Sequence, residues 1–266
     1  MDHDEVLGLF DRQLRQGVSA DDPGAGVERS GDVVRQGGAD GEWNGVVWSG
    51  LDAATADAAI AEQVRHFTAL ARDFEWKLYA YDQPHDLGAR LRAAGFTPEP
   101  EETLMAAEIR DLPTDVELPE GIRLETVTDP AGVELLADAH EQAFGTSSSR
   151  LREQLLAQLA RTPDSVFMTV AMAGDQPVSG ARMELHPGTD FASLWGGGTV
   201  AAWRGRGIYR ALIAHRARLA GASGYRFLQV DASSRSRPIL SRLGFAALSI
   251  TTPYVYEHRS RPDQRP

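Results

Sequence analysis

The run Trp203-Arg204-Gly205-Arg206-Gly207-Ile208-Tyr209-Arg210-Ala211-Leu212 constrains this chain more than any other stretch. A strand-like segment, Ala192 to Val200, leads into it, and Ile208, Leu212 and Leu219 recur at helical spacing beyond it. The glycines therefore fall on a strand-to-helix turn, where they allow a ligand close to the backbone. The first amides of the new helix lie at its positive end without internal acceptors, which makes an anion site. Arg204, Arg206 and Arg210 add guanidinium groups suited to bidentate phosphate contact. The turn reads as a cradle for a pyrophosphate.

Spacing narrows the choice of pyrophosphate. No Lys-Ser/Thr pair follows the glycines, so the turn is not a P-loop. Gly196-Gly197-Gly198-Thr199-Val200-Ala201 matches the dinucleotide pattern G-x-G-x-x-A, but a second glycine turn follows and no acidic residue lies about twenty positions on. The pattern R-x-x-G-x-(G/A) after a strand fits better, as Arg204, Gly207 and Tyr209, with Tyr209 departing from the usual small residue. A second stretch reads as a strand, Tyr225 to Asp231, then a short helix ending in Arg242-Leu243-Gly244-Phe245, with Gly244 as helix C-cap.

From about Gly121 onward, these two motifs resemble the GNAT superfamily of acyl-CoA-dependent N-acetyltransferases. The resemblance implies an α/β fold, a mixed and mostly antiparallel sheet flanked by helices, with acetyl-CoA as cosubstrate and no metal. It implies that the pyrophosphate is held by Arg204, Gly205, Arg206, Gly207, Ile208, Tyr209 and Arg210. The pantetheine arm would lie on the splayed strand at Gly197 and Thr199, and Ser233 stands where the family has a coenzyme-side Asn. Two usual catalytic positions are replaced: Leu240 stands at the thiolate-protonating Tyr and Ser193 at a basic Glu. Glu184, or Asp190, is then the expected base through water, and Tyr254, or Tyr209, the expected acid, with Glu184 and Tyr254 preferred. The implied activity is acetyl transfer to a primary amine of a small molecule or protein; a coenzyme-binding sensor without catalysis is the alternative.

The rest of the chain sets bounds. A length of 266 residues allows two modest domains, and 42% apolar with 24% charged residues is ordinary for a globular protein. A net charge of −11 argues against nucleic acid or an anionic membrane as partner. The absence of cysteine removes disulfides, thiolate metal sites and a cysteine nucleophile. No apolar run approaches the roughly 18 residues of a membrane span, and no signal-peptide core follows the acidic N-terminus, so a cytoplasmic location is expected. A homodimer is left open.

The acidic, proline-bearing stretch 113–120 reads as a linker between a domain at 1–112 and one at 121–266. The second shows the order β-α-α-β-β-β-α-β-α-β-β, including helices at Val133–Phe144 and Leu151–Leu159 and a closing strand pair, Ala246–Ile250 and Tyr254–Glu257. The first repeats the latter half of that order, with strands at Asn44–Trp48 and Phe74–Asp82 and a helix at Ala56–Ala71. Its turn Ser49–Thr55 lacks the arginine-glycine motif and carries Asp52, with Asp57 following in the helix, which oppose an anion. The N-terminal domain is thus expected to be a degenerate GNAT-like unit without coenzyme. His215, Trp195 and Trp203 are expected to pack rather than react.

Overall fold

The computed structural model describes residues 1–17, 26–38, 43–161 and 164–258. These fall into two compact units, Leu7–Leu104 with the chain from Leu248 onward, and Met1–Val6 with Met105–Ala247. The compact units do not follow the bounds at 112 and 121 that the composition suggests. Residues from Met105 belong with the C-terminal unit, where Met105, Ala107, Ile109 and Leu112 enter a buried apolar cluster. Residues from Leu248 belong with the N-terminal unit, because their strand pairs there.

In the N-terminal half, helix α1 (His3–Phe10) continues into a π-helical turn, Asp11–Gln16. Strands β1 (Gly26–Ser30), β2 (Val33–Gly37) and β3 (Asn44–Ser49) follow, then α2 (Ala56–Ala69), β4 (Phe74–Tyr79), α3 (Leu87–Ala93), the short β5 (Thr97–Pro98) and β6 (Glu102–Glu108). Next come β7 (Ile122–Thr126), α4 (Pro130–Phe144), α5 (Ser149–Arg161), β8 (Val166–Ala173), β9 (Gln176–Leu185) and β10 (Phe191–Thr199). The remainder is α6 (Ile208–Ala222), β11 (Phe227–Ala232), α7 (Arg237–Arg242) and β12 (Ala246–Tyr256).

The N-terminal unit orders its strands β1-β2-β3-β4-β12, antiparallel except for the parallel pair β3–β4, with β5 on β12. Its core gathers Val46, Ile60, Phe67, Phe74, Trp76, Leu91 and Phe96. The C-terminal unit orders β6-β11-β10-β9-β8-β7, antiparallel from β7 to β10 and parallel at β10–β11. One face packs on α6 through Met183, Ala192, Leu194, Ile213 and Leu228. The other packs on α4 and α5 through Leu136, Leu155, Met168 and Val170. The sequence β2-β3-α2-β4-α3 thus matches β9-β10-α6-β11-α7, each built around one parallel pair.

Most elements form where their residues demand. Asp129 caps α4 by accepting from the Gly132 amide at 2.8 Å, Pro130 opens the helix, and Gly145 closes it in a left-handed turn at φ 72°. The expected closing strand pair is instead the single strand β12. Pro253 donates no ladder bond, yet its carbonyl accepts from the Glu99 amide at 2.8 Å. Among the described residues no helix is long and apolar enough to cross a membrane.

Candidate functional site

The parallel pair β10–β11 is short. Phe191, Ala192 and Ser193 face Phe227, Leu228 and Gln229, and beyond Ser193 and Gln229 the strands no longer pair. On its other edge β10 follows β9 to Trp195, then slips, and resumes at Gly198 opposite Gly180. Gly196 takes φ 60° at this slip, so Gly196 and Gly197 stand outside both ladders. The glycine-rich strand is therefore both bulged and splayed, which leaves backbone groups of two residues facing the gap.

The chain leaves β10 through a 3-10 turn, Ala201–Trp203, and enters α6 at the arginine-glycine turn. Gly205 and Gly207 are left-handed at φ 75° and 89°, a conformation that L side chains rarely adopt. A Cβ on Gly205 would meet open space, and one on Gly207 only the Arg210 guanidinium at 3.9 Å. No side chain caps α6, its first turn carries no acidic residue, and the first helical bond runs from the Ala211 amide to the Gly207 carbonyl. The amides of Ile208, Tyr209 and Arg210 therefore have no backbone acceptor among the described residues.

The arginines divide their work. Arg204 is committed to the fold, donating to the carbonyls of Thr199 at 2.9 Å and Ala143 at 2.8 Å. Arg206 stacks on Trp203 with its guanidinium 4.6 Å from the ring centroid, and neither it nor Arg210 has an ion-pair partner among the described residues. Ile208 is buried under the turn. Thr199 pairs with Ser179 across the ladder and shares a 2.8 Å side-chain bond with it. Ser233 follows β11 and starts the turn into α7, with its carbonyl accepting from the Arg237 amide at 2.9 Å.

Tyr209 turns back over the splay. Its ring lies 3.0 Å from the point where a Gly197 Cβ would stand, and burial holds its phenol above the ordinary value. Behind it, Arg216 is buried without a carboxylate partner, and burial brings it down to about 10. Its guanidinium donates to the Arg182 carbonyl at 3.1 Å and its own helix at Leu212, beside the bulge.

Glu184 sits on β9 directly opposite Ser193. Its Oε1 accepts from Gln158 of α5 at 3.1 Å and lies 3.3 Å from Arg182 Nε. Ser193 ends the parallel ladder in a buried polar chain that the sequence did not reveal. Gln229 Nε2 reaches Asp231 at 3.4 Å, which orients its Oε1 to accept from Ser193 at 2.7 Å. The Ser193 hydroxyl has one proton, so it accepts from His186 Nε2, 2.8 Å away, and this fixes the histidine tautomer. Burial keeps His186 below its ordinary pKa, with Glu184 opposing, so the ring is neutral. The serine and glutamine share one register position across two strands, and strand alternation was the only signal for this pairing.

Tyr254 lies in the N-terminal unit, where it pairs with Trp76 and Pro98 and is 4% exposed within that unit's core. There β12 runs on as one strand along β4 rather than folding back as a hairpin. Leu240 is buried in the C-terminal core, in the cluster that Tyr209 and Tyr225 pack against.

The N-terminal unit has a parallel pair of the same kind. Only Gly45 with Glu75 and Val46 with Trp76 pair between β3 and β4 before the strands part. Arg15 fills the gap: its Nε donates to the Val47 carbonyl at 3.0 Å and its Nη2 binds both oxygens of Asp82 at 2.9 and 2.8 Å. Nη1 reaches Asp11 at 2.7 Å and the Tyr81 hydroxyl at 3.1 Å, while Tyr79 stacks 4.1 Å from the guanidinium. At the start of α2, Asp52 Oδ1 accepts from the amides of Ala54 and Thr55, occupying the place an anion would need.

No protein-family model matches the sequence, nor does any curated protein. Solved structures do. A GCN5-related N-acetyltransferase from Kribbella flavida superposes with a TM-score of 0.66 at 18% identity, covering 95% of this chain and 93% of that one. A GCN5-related N-acetyltransferase from Sphaerobacter thermophilus gives 0.60 at 18% identity, over 98% and 87%. A tandem GNAT protein from the clavulanic acid biosynthesis pathway gives 0.60 at 12% identity, over 90% and 85%. At these identities the likeness concerns architecture, and the architecture is that of the GNAT acetyltransferases in their tandem form.

Proposed function

We propose that the C-terminal unit transfers an acetyl group from acetyl-CoA to a primary amine, and that the N-terminal unit binds no coenzyme. One observation carries the reading: two parallel strands part beside an uncapped helix start flanked by unpaired arginines. The residues present suit the coenzyme. Arg206, Arg210 and the amides of Ile208, Tyr209 and Arg210 offer donors to a pyrophosphate, and Gly205 and Gly207 leave it room. Gly196 and Gly197, outside both ladders, offer backbone donors to carbonyl oxygens along the splay. When bound, acetyl-CoA supplies the activated thioester.

The chain's own groups handle protons. Glu184 keeps Oε2 free of hydrogen bonds among the described residues and serves as base toward the acceptor ammonium, directly or through water. Tyr209 serves as acid, since burial holds its phenol above the ordinary value and its ring lies against Gly197 of the splayed strand. A coenzyme sensor without turnover is the second reading, favoured by Leu240 and by Ser193 being locked to Gln229.

Calorimetry with acetyl-CoA tests the binding. Wild type should bind one equivalent, and Gly207→Glu should lose affinity at least about 100-fold, because a side chain there is strained and its charge repels phosphate. Unchanged affinity would sink the reading. Steady release of free thiol in the presence of amines separates transferase from sensor.

A further inference from the structure

The face of the C-terminal sheet that carries Glu184 also carries a cation with unused capacity. Arg182 and Glu184 are two residues apart on β9, so both side chains project toward α4 and α5. Gly180, next on that face, has α4 against it, since a Cβ there would meet Leu136 at 2.4 Å. Past that contact the face is lined by polar and aromatic groups instead. They are Gln158 of α5, His140 and Phe144 of α4, and Trp195 at the β10 bulge.

The pair is poorly consummated. Arg182 Nε is buried and makes no hydrogen bond, although Glu184 Oε1 lies 3.3 Å from it. Its Nη1 meets only Gln158 at 3.3 Å, and neither its Nη2 nor Glu184 Oε2 has a hydrogen-bond partner among the described residues. A buried donor left unmade is costly, and such groups mark a ligand's place when they border solvent. His140 is held below its ordinary value by burial and then by Arg182, so the guanidinium's positive field reaches across the face. Trp195 and Phe144, at 38% and 49% exposed, are large apolar surfaces open to solvent, and Phe144 lies against His140 and Gly198. The Arg182 guanidinium lies 5.8 Å from the Trp195 ring centroid.

We propose that the amine acceptor is an α-amino acid with an apolar side chain, its carboxylate taken by Arg182, its ammonium by Glu184, and its side chain by Trp195 and Phe144. Opposite charges on adjacent groups of one small molecule match opposite charges side by side on one strand. The carboxylate gains a charge-assisted partner in the free Nη2, and the ammonium gains Oε2. Glu184 then takes the ammonium proton, the freed nitrogen forms a bond to the acetyl carbonyl carbon, and the carbon–sulfur bond breaks. The thiolate leaves with the proton donated by Tyr209, and the second proton shed by the acylated nitrogen restores the Tyr209 phenol. This assignment rests on the acetyltransferase reading above and adds the acceptor to it.

Thiol release from acetyl-CoA with matched acceptors tests it: L-leucine, L-leucinamide and isopentylamine, then L-phenylalanine and phenethylamine. The amino acids should exceed their amide and decarboxylated partners by at least about 100-fold in kcat/KM. Arg182→Gln should raise KM for the amino acids until their preference over the amide and decarboxylated partners vanishes. Arg182→Lys should restore part of the preference, and it decides the matter if the glutamine variant misfolds. Preference for the decarboxylated amines, or an unchanged preference in either variant, overturns the proposal. Absence of turnover with every acceptor, while one equivalent of acetyl-CoA still binds, overturns the acceptor assignment and favours the coenzyme sensor. Absence of acetyl-CoA binding overturns the underlying function as well.

Discussion

At the scale of single residues, the splay concentrates chemistry on few side chains. Tyr209 departs from the small residue its motif leads one to expect, and its ring lies against Gly197. Tyr209→Phe should lower turnover about 10- to 100-fold, the usual loss of one general acid, with acetyl-CoA affinity from calorimetry unchanged. Loss of affinity instead would make the ring a packing element. His186 gives a second expectation. Its folded pKa is depressed by burial below the ordinary 6.5, so the unfolded chain binds its proton more readily. Stability is then complete above about 6.5 and declines as pH falls below it. His66, His140 and His215 are depressed by burial in the same direction. Denaturant midpoints at pH 8 and pH 5.5 should therefore differ, and His186→Gln should shrink the difference. An identical difference in that variant would place the proton elsewhere.

At the scale of elements, the same strand-helix-strand device serves opposite ends in the two units. In one the gap is open to an anion; in the other a turn from the chain's own N-terminal helix plugs it with Arg15. Removing that guanidinium leaves Asp82 buried without its charge partner, which costs about 3–5 kcal/mol. Arg15→Ala should shift the urea midpoint of the N-terminal unit accordingly, and Arg15→Met with Asp82→Leu should recover much of it. Neither should add a second acetyl-CoA equivalent, since Asp52 still occupies the helix start. A second equivalent would mean that the plug alone blocks the site. The element order of the C-terminal half was legible because its glycines and helix caps punctuate amphipathic runs at the right period. The arginine-glycine turn was legible for the same reason, since backbone conformation there is written in glycine. Strand β6 was not, because Leu104-Met105-Ala106-Ala107 is buried on both faces and shows no alternation. The role of Arg204 was also hidden, because a carbonyl that accepts from a guanidinium leaves no trace in residue type. Nor could the chain His186-Ser193-Gln229 be found, as it depends on register between distant strands.

At the scale of the whole molecule, the chain does not divide where its composition changes. The stretch from 113 to 120 is acidic and proline-bearing, yet each unit draws a strand from the other side of it. β12 runs from Thr251 to Tyr256 beside Tyr79 to Phe74, and Tyr256 packs its ring 5.6 Å from Phe74 and 5.2 Å from Phe96. A fragment of residues 1–112 lacks that strand, so β4 would present an unpaired edge above an exposed aromatic core. A fragment of residues 121–266 lacks Met105, Ile109 and Leu112, which fill the cluster around Leu228 and Leu240. Each fragment alone should show no cooperative thermal transition and should bind the apolar dye that marks loose cores. Expressed together, the two should recover a cooperative transition and one acetyl-CoA equivalent. Residues 7–104 joined by a glycine-serine linker to residues 248–258 should also melt cooperatively, because that chain holds every strand of its own sheet. Cooperative melting of the 1–112 fragment alone would show that β12 is dispensable, and that the strand order described above overstates what holds the N-terminal unit together.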